Sequence, residues 1–348
     1  MQQEWFSRYL RVECQSLFDQ NFSSEIQMLN TSTYPISNDK LLTRVSKEKN
    51  AVISKVFNCQ ICGFQGEADE IADIRSNVRS IRHKTFSLWR CSQCHSLDCE
   101  RISNYDTLYN EYPLRKQQLD YFLHAWYEVI LKRLKAAGMK PQDFILDYGC
   151  GSGLFLSFLK EKGFVNSFGY DPHVKKFNQI EALNQRYDFV ICLDVIEHDP
   201  DPLAFIKKLI KCLKQEGQVC IETPNADGIN LRNPEAHIHA LHLPYHVHLL
   251  TLNALKDLCQ SQGLRPKAIY KKWYMNSWWP GTSRRFCESY MKLGGNDIDS
   301  AFDQITFLKI IKSIPLFFSF FFGYLYPDKK EDHMMVIYNY FPVEKVNE

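Results

Sequence analysis

A chain of 348 residues, 45% of them hydrophobic, can bury a large core and is long enough for about two domains. With 42 Lys and Arg against 40 Asp and Glu its net charge is +2, which excludes the charge imbalance of a nucleic-acid wrap or an acidic tail. Twelve cysteines diluted over this length, several inside apolar runs, do not make a secreted disulfide scaffold.

In chain order, residues 1–56 begin M-Q-Q-E-W-F-S-R, without the apolar core of a signal peptide, and read as a helical or irregular extension of a cytoplasmic protein. Residues 57–99 form a small module around Cys59, Cys62, Cys91 and Cys94, two C-x-x-C knuckles separated by twenty-eight residues. Each knuckle can place two thiolates on one tetrahedral zinc ion, and four thiolates close its shell, which makes the ion structural rather than catalytic. Unrelated reduced thiols or a redox pair are the alternatives, and His95 and Cys99 are spare ligands nearby. The basic residues Arg75, Arg79, Arg82, His83 and Lys84 between the knuckles read as solvated surface, so no nucleic-acid partner is expected. Residues 100–138 are a linker and a covering helix, the helix spanning 114–138 with Gly138 ending it.

Residues 139–273 carry the core. F-I-L-D-Y-G-C-G-S-G at 144–153 is an apolar strand that stops on Asp147 and a loop of Gly149, Gly151 and Gly153, where backbone can approach a ligand that a side chain would exclude. The helix expected at 154–162 aims free N–H groups at an anionic ligand group. The next strand, S-F-G-Y-D at 167–171, ends on Asp171, placed for a ribose diol. A dinucleotide fingerprint calls for glycine at the sixth loop position, where Leu154 stands. Y-D-F-V-I-C-L-D-V-I-E-H at 187–198 is a strand running into an acidic, histidine-bearing turn. An amphipathic helix at 201–213, a strand at 217–225 and a helix at 252–263 sustain the alternation of an open parallel sheet.

These ordered motifs resemble class I S-adenosylmethionine-dependent methyltransferases of the broad group that includes quinone-biosynthesis O-methyltransferases. The resemblance implies an α/β, Rossmann-like seven-stranded sheet with helices on both faces and an antiparallel last strand, for which 333–340 is the candidate. It implies S-adenosyl-L-methionine as cofactor, bound by Asp147, Gly149, Cys150, Gly151, Gly153, Asp171, Pro172 and Asp194. The cysteine module resembles the zinc ribbon that precedes the catalytic domain in some methyltransferases of sugars and lipids. One departure stands out: only sixteen residues separate Asp171 from Asp188, where the family fits a helix, a third strand and an adenine-contacting acid. The segment 174–186 is compressed, and adenine contacts, sought at 179–183, are not carried over to named residues.

Methyl transfer needs the sulfonium methyl in line with the attacking atom in a dry pocket, and a base for an oxygen or nitrogen nucleophile. His198, after the fourth strand, and His246, in H-I-H-A-L-H-L-P-Y-H-V-H at 237–248, are the candidates for base or substrate anchor. A second metal on this histidine run and ordinary structural histidines are the other readings.

Residues 274–331 read as a substrate cap and 332–348 as the final strand and tail. The cap is aromatic, with Arg284 and Arg285 offered to a phosphate or carboxylate of the acceptor. Its run at 313–327 is too short to span a bilayer and is expected as a buried helix, with a dimer contact or peripheral membrane contact as alternatives. The expected partner is a small-molecule methyl acceptor that is lipid-like, quinone-like or a saccharide. Two other classes of function stay open: a non-catalytic zinc-ribbon interaction protein with a degenerate fold, and a nicotinamide oxidoreductase. The sequence sets neither the oligomeric state nor the acceptor atom.

Overall fold

The computed structural model describes residues 56–100, 117–303, 310, 312–326 and 329–342. The expected extension at 1–56, apart from Val56, and the linker at 101–116 lie outside the described residues.

β1 (Phe57–Asn58) and β2 (Gln65–Gly66) pair antiparallel around the first knuckle. β3 (Ala68–Arg75), β4 (Thr85–Cys91) and β5 (Leu97–Cys99) follow as an antiparallel ladder. Alternation along the strands decides its faces: Ala72, Ile74, Phe86 and Leu88 are buried, while Ile71 and Asp73 face solvent. α1 (Tyr121–Ala136) begins at Asp120, whose carboxylate accepts from the Leu123 N–H at 2.9 Å. It is shorter than the helix expected at 114–138, because 117–120 are not helical and Asp120 caps the first turn.

The core runs β6 (Ile145–Tyr148), α2 (Leu154–Glu161), β7 (Ser167–Tyr170), β8 (Tyr187–Leu193), α3 (Pro202–Lys211) and β9 (Leu213–Pro224). It continues through α4 (Ile238–Leu241), β10 (His248–Leu249), α5 (Leu252–Gln260), β11 (Leu264–Tyr270), α6 (Arg284–Leu293), α7 (Ile314–Phe322) and β12 (His333–Tyr340). Its sheet has the order β11-β12-β9-β8-β6-β7, with β6 to β9 parallel and β12 antiparallel to both its neighbours. This is the expected Rossmann-like class, with six strands among the described residues in place of seven. The stretch between β7 and β8 is too short for a helix plus a strand and holds a 3-10 turn, Ile180–Asn184. Successive residues of β8 serve opposite faces: Phe189 and Ile191 pack with α1 and α2, and Val190 and Cys192 with α3 and α5.

The cysteine module is built into this core. β10 pairs antiparallel with β5, in the register His248 opposite Asp98 and Leu249 opposite Leu97, and so becomes the fourth strand of the module's own sheet. Leu88, Leu97 and Phe86 share one apolar cluster with Leu231, Leu241, Leu243 and Leu249.

The cap departs from its expected burial. α7 packs against α6 through Leu316 and Phe320, whereas Ile314, Phe318 and Phe322 are exposed. All nine residues but Ser319 are apolar and Ser319 is buried, so the helix has no polar face to turn outward and its apolar side chains meet solvent. Among the described residues no helix is long and apolar enough to cross a membrane.

Candidate functional site

The glycine loop emerges where the buried strand β6 stops. Gly149, at φ +81°, lies against Val195 so closely that any Cβ would collide with it, while a Cβ on Gly151, at φ +52°, would meet nothing within 4 Å. The loop therefore packs on one side and opens into space on the other. It is pinned by backbone bonds from Gly149 and Cys150 to the Tyr170 carbonyl, at 2.7 and 3.2 Å. Asp171 completes the cradle, accepting from the Gly151 N–H at 3.0 Å and from the His173 N–H at 2.8 Å. Pro172 is exposed beside it, and Cys150 is buried behind the loop.

Below the loop, Asp147 is 4% exposed. Burial, and then the charge of Asp171, push its carboxyl up to about 7. Both influences disfavour its charged form, so a cationic group arriving in the cradle is the natural compensation. The amino group of the methionine part of S-adenosylmethionine is such a cation, and the open side of Gly151 leaves space for a ligand beside Asp171.

The second half of the site lies past the end of β8. Asp194 takes a left-handed backbone at φ +51°, its N–H donates to the Glu222 carbonyl at 3.0 Å, and the Tyr274 hydroxyl donates to its carboxylate at 3.3 Å. A 3-10 turn, Ile196–His198, then presents Glu197 and His198. Glu197 is fully buried; Oε2 accepts from the Thr223 hydroxyl at 2.9 Å, while Oε1 has no hydrogen-bond partner among the described residues and stands 3.8 Å from His246 Nε2.

His198 and His246 are brought together from elements far apart in sequence, with ring centroids 4.8 Å apart. His198 Nδ1 bonds the Tyr245 carbonyl at 2.9 Å and His246 Nδ1 the Ala240 carbonyl at 2.8 Å. A carbonyl only accepts, so these bonds put the proton on Nδ1 and the lone pair on Nε2 of both rings. Burial holds both imidazoles below their usual range and lifts Glu197 well above the carboxylate range. The histidines are thus neutral at ordinary pH, beside an acid whose burial favours its protonated, neutral form.

The remaining histidines of the run at 237–248 do other work. His237 pairs with Asp332 at 3.1 Å, His239 with Asn296 at 3.1 Å, His242 with Asn77 at 2.8 Å, and His248 with the Ile196 carbonyl at 3.1 Å. Arg284, expected to meet the acceptor, is buried against the chain's own Asp332 and Glu288, and Arg285 lies over the Tyr326 ring at 4.0 Å. Sequence reasoning did not single out Glu197, Glu222 or Tyr274. The available signal was a lone acid inside the apolar strand V-C-I-E-T-P: Glu222 is 1% exposed and among the described residues neither of its carboxylate oxygens has a hydrogen-bond partner.

The four cysteines of the knuckles converge. Cys59 Sγ lies 3.6 Å from Cys94 Sγ, and Cys62 Sγ lies 3.7 Å from Cys91 Sγ. Four sulfurs about 2.3 Å from a tetrahedral ion are about 3.8 Å apart along each edge, so the cluster has the dimensions of a four-thiolate metal site.

Residues 116–268 match the family model of a methyltransferase domain, a segment that begins after the cysteine cluster. A ubiquinone biosynthesis O-methyltransferase of Pseudomonas fluorescens (strain SBW25) is 27% identical over 164 residues, which are 41% of this chain and 61% of that protein. The corresponding protein of Pseudomonas aeruginosa (strain UCBPP-PA14) gives the same figures. The chain thus spans about three-fifths of the length of the curated relatives it matches. Among solved structures, a sarcosine dimethylglycine methyltransferase, so described provisionally, from Galdieria sulphuraria is 16% identical at a TM-score of 0.38, covering 62% of this chain and 85% of that one. The magnesium protoporphyrin IX methyltransferase of Synechocystis PCC 6803 with bound S-adenosylhomocysteine is 18% identical at a TM-score of 0.35, covering 48% and 92%.

Proposed function

We propose that the chain, whose residues 116–268 match the model of a methyltransferase domain, is a class I S-adenosylmethionine-dependent enzyme that methylates a small, hydrophobic, quinone-like acceptor. One juxtaposition carries this reading. The cradle of Asp147, Gly151 and Asp171 and the cluster of Glu197, His198 and His246 stand at the carboxyl ends of neighbouring strands of one sheet, where open α/β sheets take ligands.

In this reading the cofactor supplies an already activated methyl group on a positively charged sulfur. Asp147 meets its amino group and Asp171 its ribose, and Asp194 with Tyr274 borders the transfer space. A lone pair of the acceptor forms the new bond to methyl as the sulfur–methyl bond breaks, and the electron pair of that bond stays on sulfur as a neutral thioether. The acceptor's proton passes to Nε2 of His198 or His246 and from there to solvent. Cys59, Cys62, Cys91 and Cys94 would hold a zinc ion, which with its shell closed would steady the N-terminal sheet and take no part in the reaction.

The quinone-like acceptor rests on the names of the curated relatives, and the hydrophobic character also on the exposed aromatic side of α7. Calorimetric titration with S-adenosylmethionine and S-adenosylhomocysteine tests the premise. Stoichiometric heat that weakens in Asp171→Ala supports it, and a folded chain that gives no heat with either compound sinks it. Turnover of a labelled methyl group that is unchanged in both His198→Ala and His246→Ala removes the proton-transfer role.

A further inference from the structure

We propose that Glu222 is the residue that tells the charged cofactor from its spent form: its buried carboxylate faces the positive sulfur of S-adenosylmethionine and meets no charge in S-adenosylhomocysteine. The inference deepens the methyl-transfer reading and rests on it.

Placement is the first support. Alternate residues of a strand share a face. Ile145 of β6, Ile191 of β8 and Cys220 of β9 all pack beneath α1, so Asp147 and Glu222, each two residues further along its strand, lie on that same face. Asp147 stands opposite Ile191 and Ile191 opposite Cys220, which leaves Glu222 two strands across from Asp147 and two residues beyond it. At about 4.8 Å per strand and about 3.3 Å per residue, their Cα atoms are about 12 Å apart. Two acids so spaced at the carboxyl edge of one sheet face suit a ligand with two separated cations, the ammonium at Asp147 and the sulfonium toward Glu222.

The second support is that Glu222 has no donor. It is 1% exposed, and among the described residues neither carboxylate oxygen has a hydrogen-bond partner. The Asp194 N–H goes to the Glu222 backbone carbonyl at 3.0 Å, and the Asp194 carboxylate is itself an acceptor, taken by the Tyr274 hydroxyl at 3.3 Å. Arg133 of α1 reaches Met335, the residue opposite Glu222 on β12, yet it donates to the Met335 sulfur at 3.5 Å and the Lys272 carbonyl at 2.7 Å. A buried acid without a donor is stabilised by a cation placed before it.

The third support is the wall around it. Tyr127 and Tyr274 are buried in the same layer beneath α1, and aromatic faces attract a cation without a hydrogen bond. A sulfonium is a cation of that kind: it carries charge and polarised C–H groups but no N–H or O–H. Methyl transfer leaves a neutral thioether, so the attraction that held the donor is absent from the product, and the product leaves more readily.

The test is calorimetric titration of the full chain with S-adenosylmethionine, S-adenosylhomocysteine and sinefungin, in which a carbon bearing an ammonium replaces the methylated sulfur. The two cationic ligands should bind about tenfold or more tightly than S-adenosylhomocysteine. Glu222→Gln keeps the size of the side chain and should bring all three within about threefold, with the affinity for S-adenosylhomocysteine unchanged as evidence that the variant is folded. Glu222→Asp keeps the charge and should keep the preference. Asp171→Ala should weaken all three alike and leave their ratio untouched. A ratio that is already flat in the unaltered chain, or that survives Glu222→Gln, overturns the proposal. Heat with S-adenosylhomocysteine but no preference for the cations overturns it alone, whereas a folded chain giving no heat with any of the three overturns the methyl-transfer reading as well.

Discussion

The cysteine cluster and the Glu197–His198–His246 cluster stand on two sides of one short strap, residues 245–251, and they are built in opposite ways. The cysteines come in two pairs, each pair three residues apart, and four like ligands close on one point. The second cluster joins a turn after β8 to a loop almost fifty residues later, mixes an acid with two imidazoles, and leaves polar atoms unmet. The first set of side chains closes on itself. The second keeps unsatisfied groups in the interior, which costs stability and is what a site awaiting ligands looks like.

Each contrast can be broken by measurement. Cys91→Ser removes a buried ligand and should cause the largest loss, with metal release and a fall in melting temperature of 10 °C or more, roughly, because metal binding energy is folding energy in such modules. Glu197→Gln should leave the melt nearly unmoved; equal losses in the two variants would erase the distinction. Leu88→Ala empties a fully buried position in the apolar layer shared by the module and 226–249, and should cost about 2–5 kcal/mol in denaturant unfolding.

Asp147 sharpens the comparison from the ligand side. Its carboxyl is raised to about 7, so in the unliganded fold this group contributes most below that pH and its contribution falls as pH rises from about 4 to 7. A cationic ligand needs the ionised form, so S-adenosylmethionine should bind about tenfold more tightly at pH 8 than at pH 6. Asp147→Asn should flatten that dependence in calorimetry, and an unflattened profile would reassign it. A small but measurable effect is expected for Thr251→Ala. Thr251 caps α5 and its hydroxyl also donates to the Cys94 carbonyl at 3.0 Å, so its loss should cost about 1 kcal/mol.

The parallel core was legible because its signals are local. A strand ending on Asp147 and three glycines, and a second ending on Asp171, each declare themselves within about ten residues, and the final strand falls at His333–Tyr340, the candidate that the family resemblance offered. The sequence reading kept seven strands, although the sixteen residues between Asp171 and Asp188 that it noted leave no room for one of them, and the sheet has six among the described residues. What stayed hidden depends on tertiary neighbours. Glu197 sits one residue before a histidine that was noticed, yet nothing local distinguishes a solvated acid from one sealed under Thr223 and His246. Arg284 looked free for an anion until Asp332, forty-eight residues away, proved to hold it. The helix at Ile314–Phe322 looked buried because it is apolar, but sequence does not say how many neighbours a helix will find.

The pairing of β5 with β10 makes the N-terminal unit impossible to treat as a detachable cassette. A fragment beginning at residue 117 would carry β10 as an unpaired edge and turn Leu241, Leu243 and Leu249 toward water, an invitation to self-association. Grafting the unit onto another methyltransferase would transplant half of a ladder. In synthesis the order is fixed as well: the cysteine sheet emerges first, waits with one side bare, and is finished only when the segment bearing His246 arrives to dock beside Leu97 and Cys99.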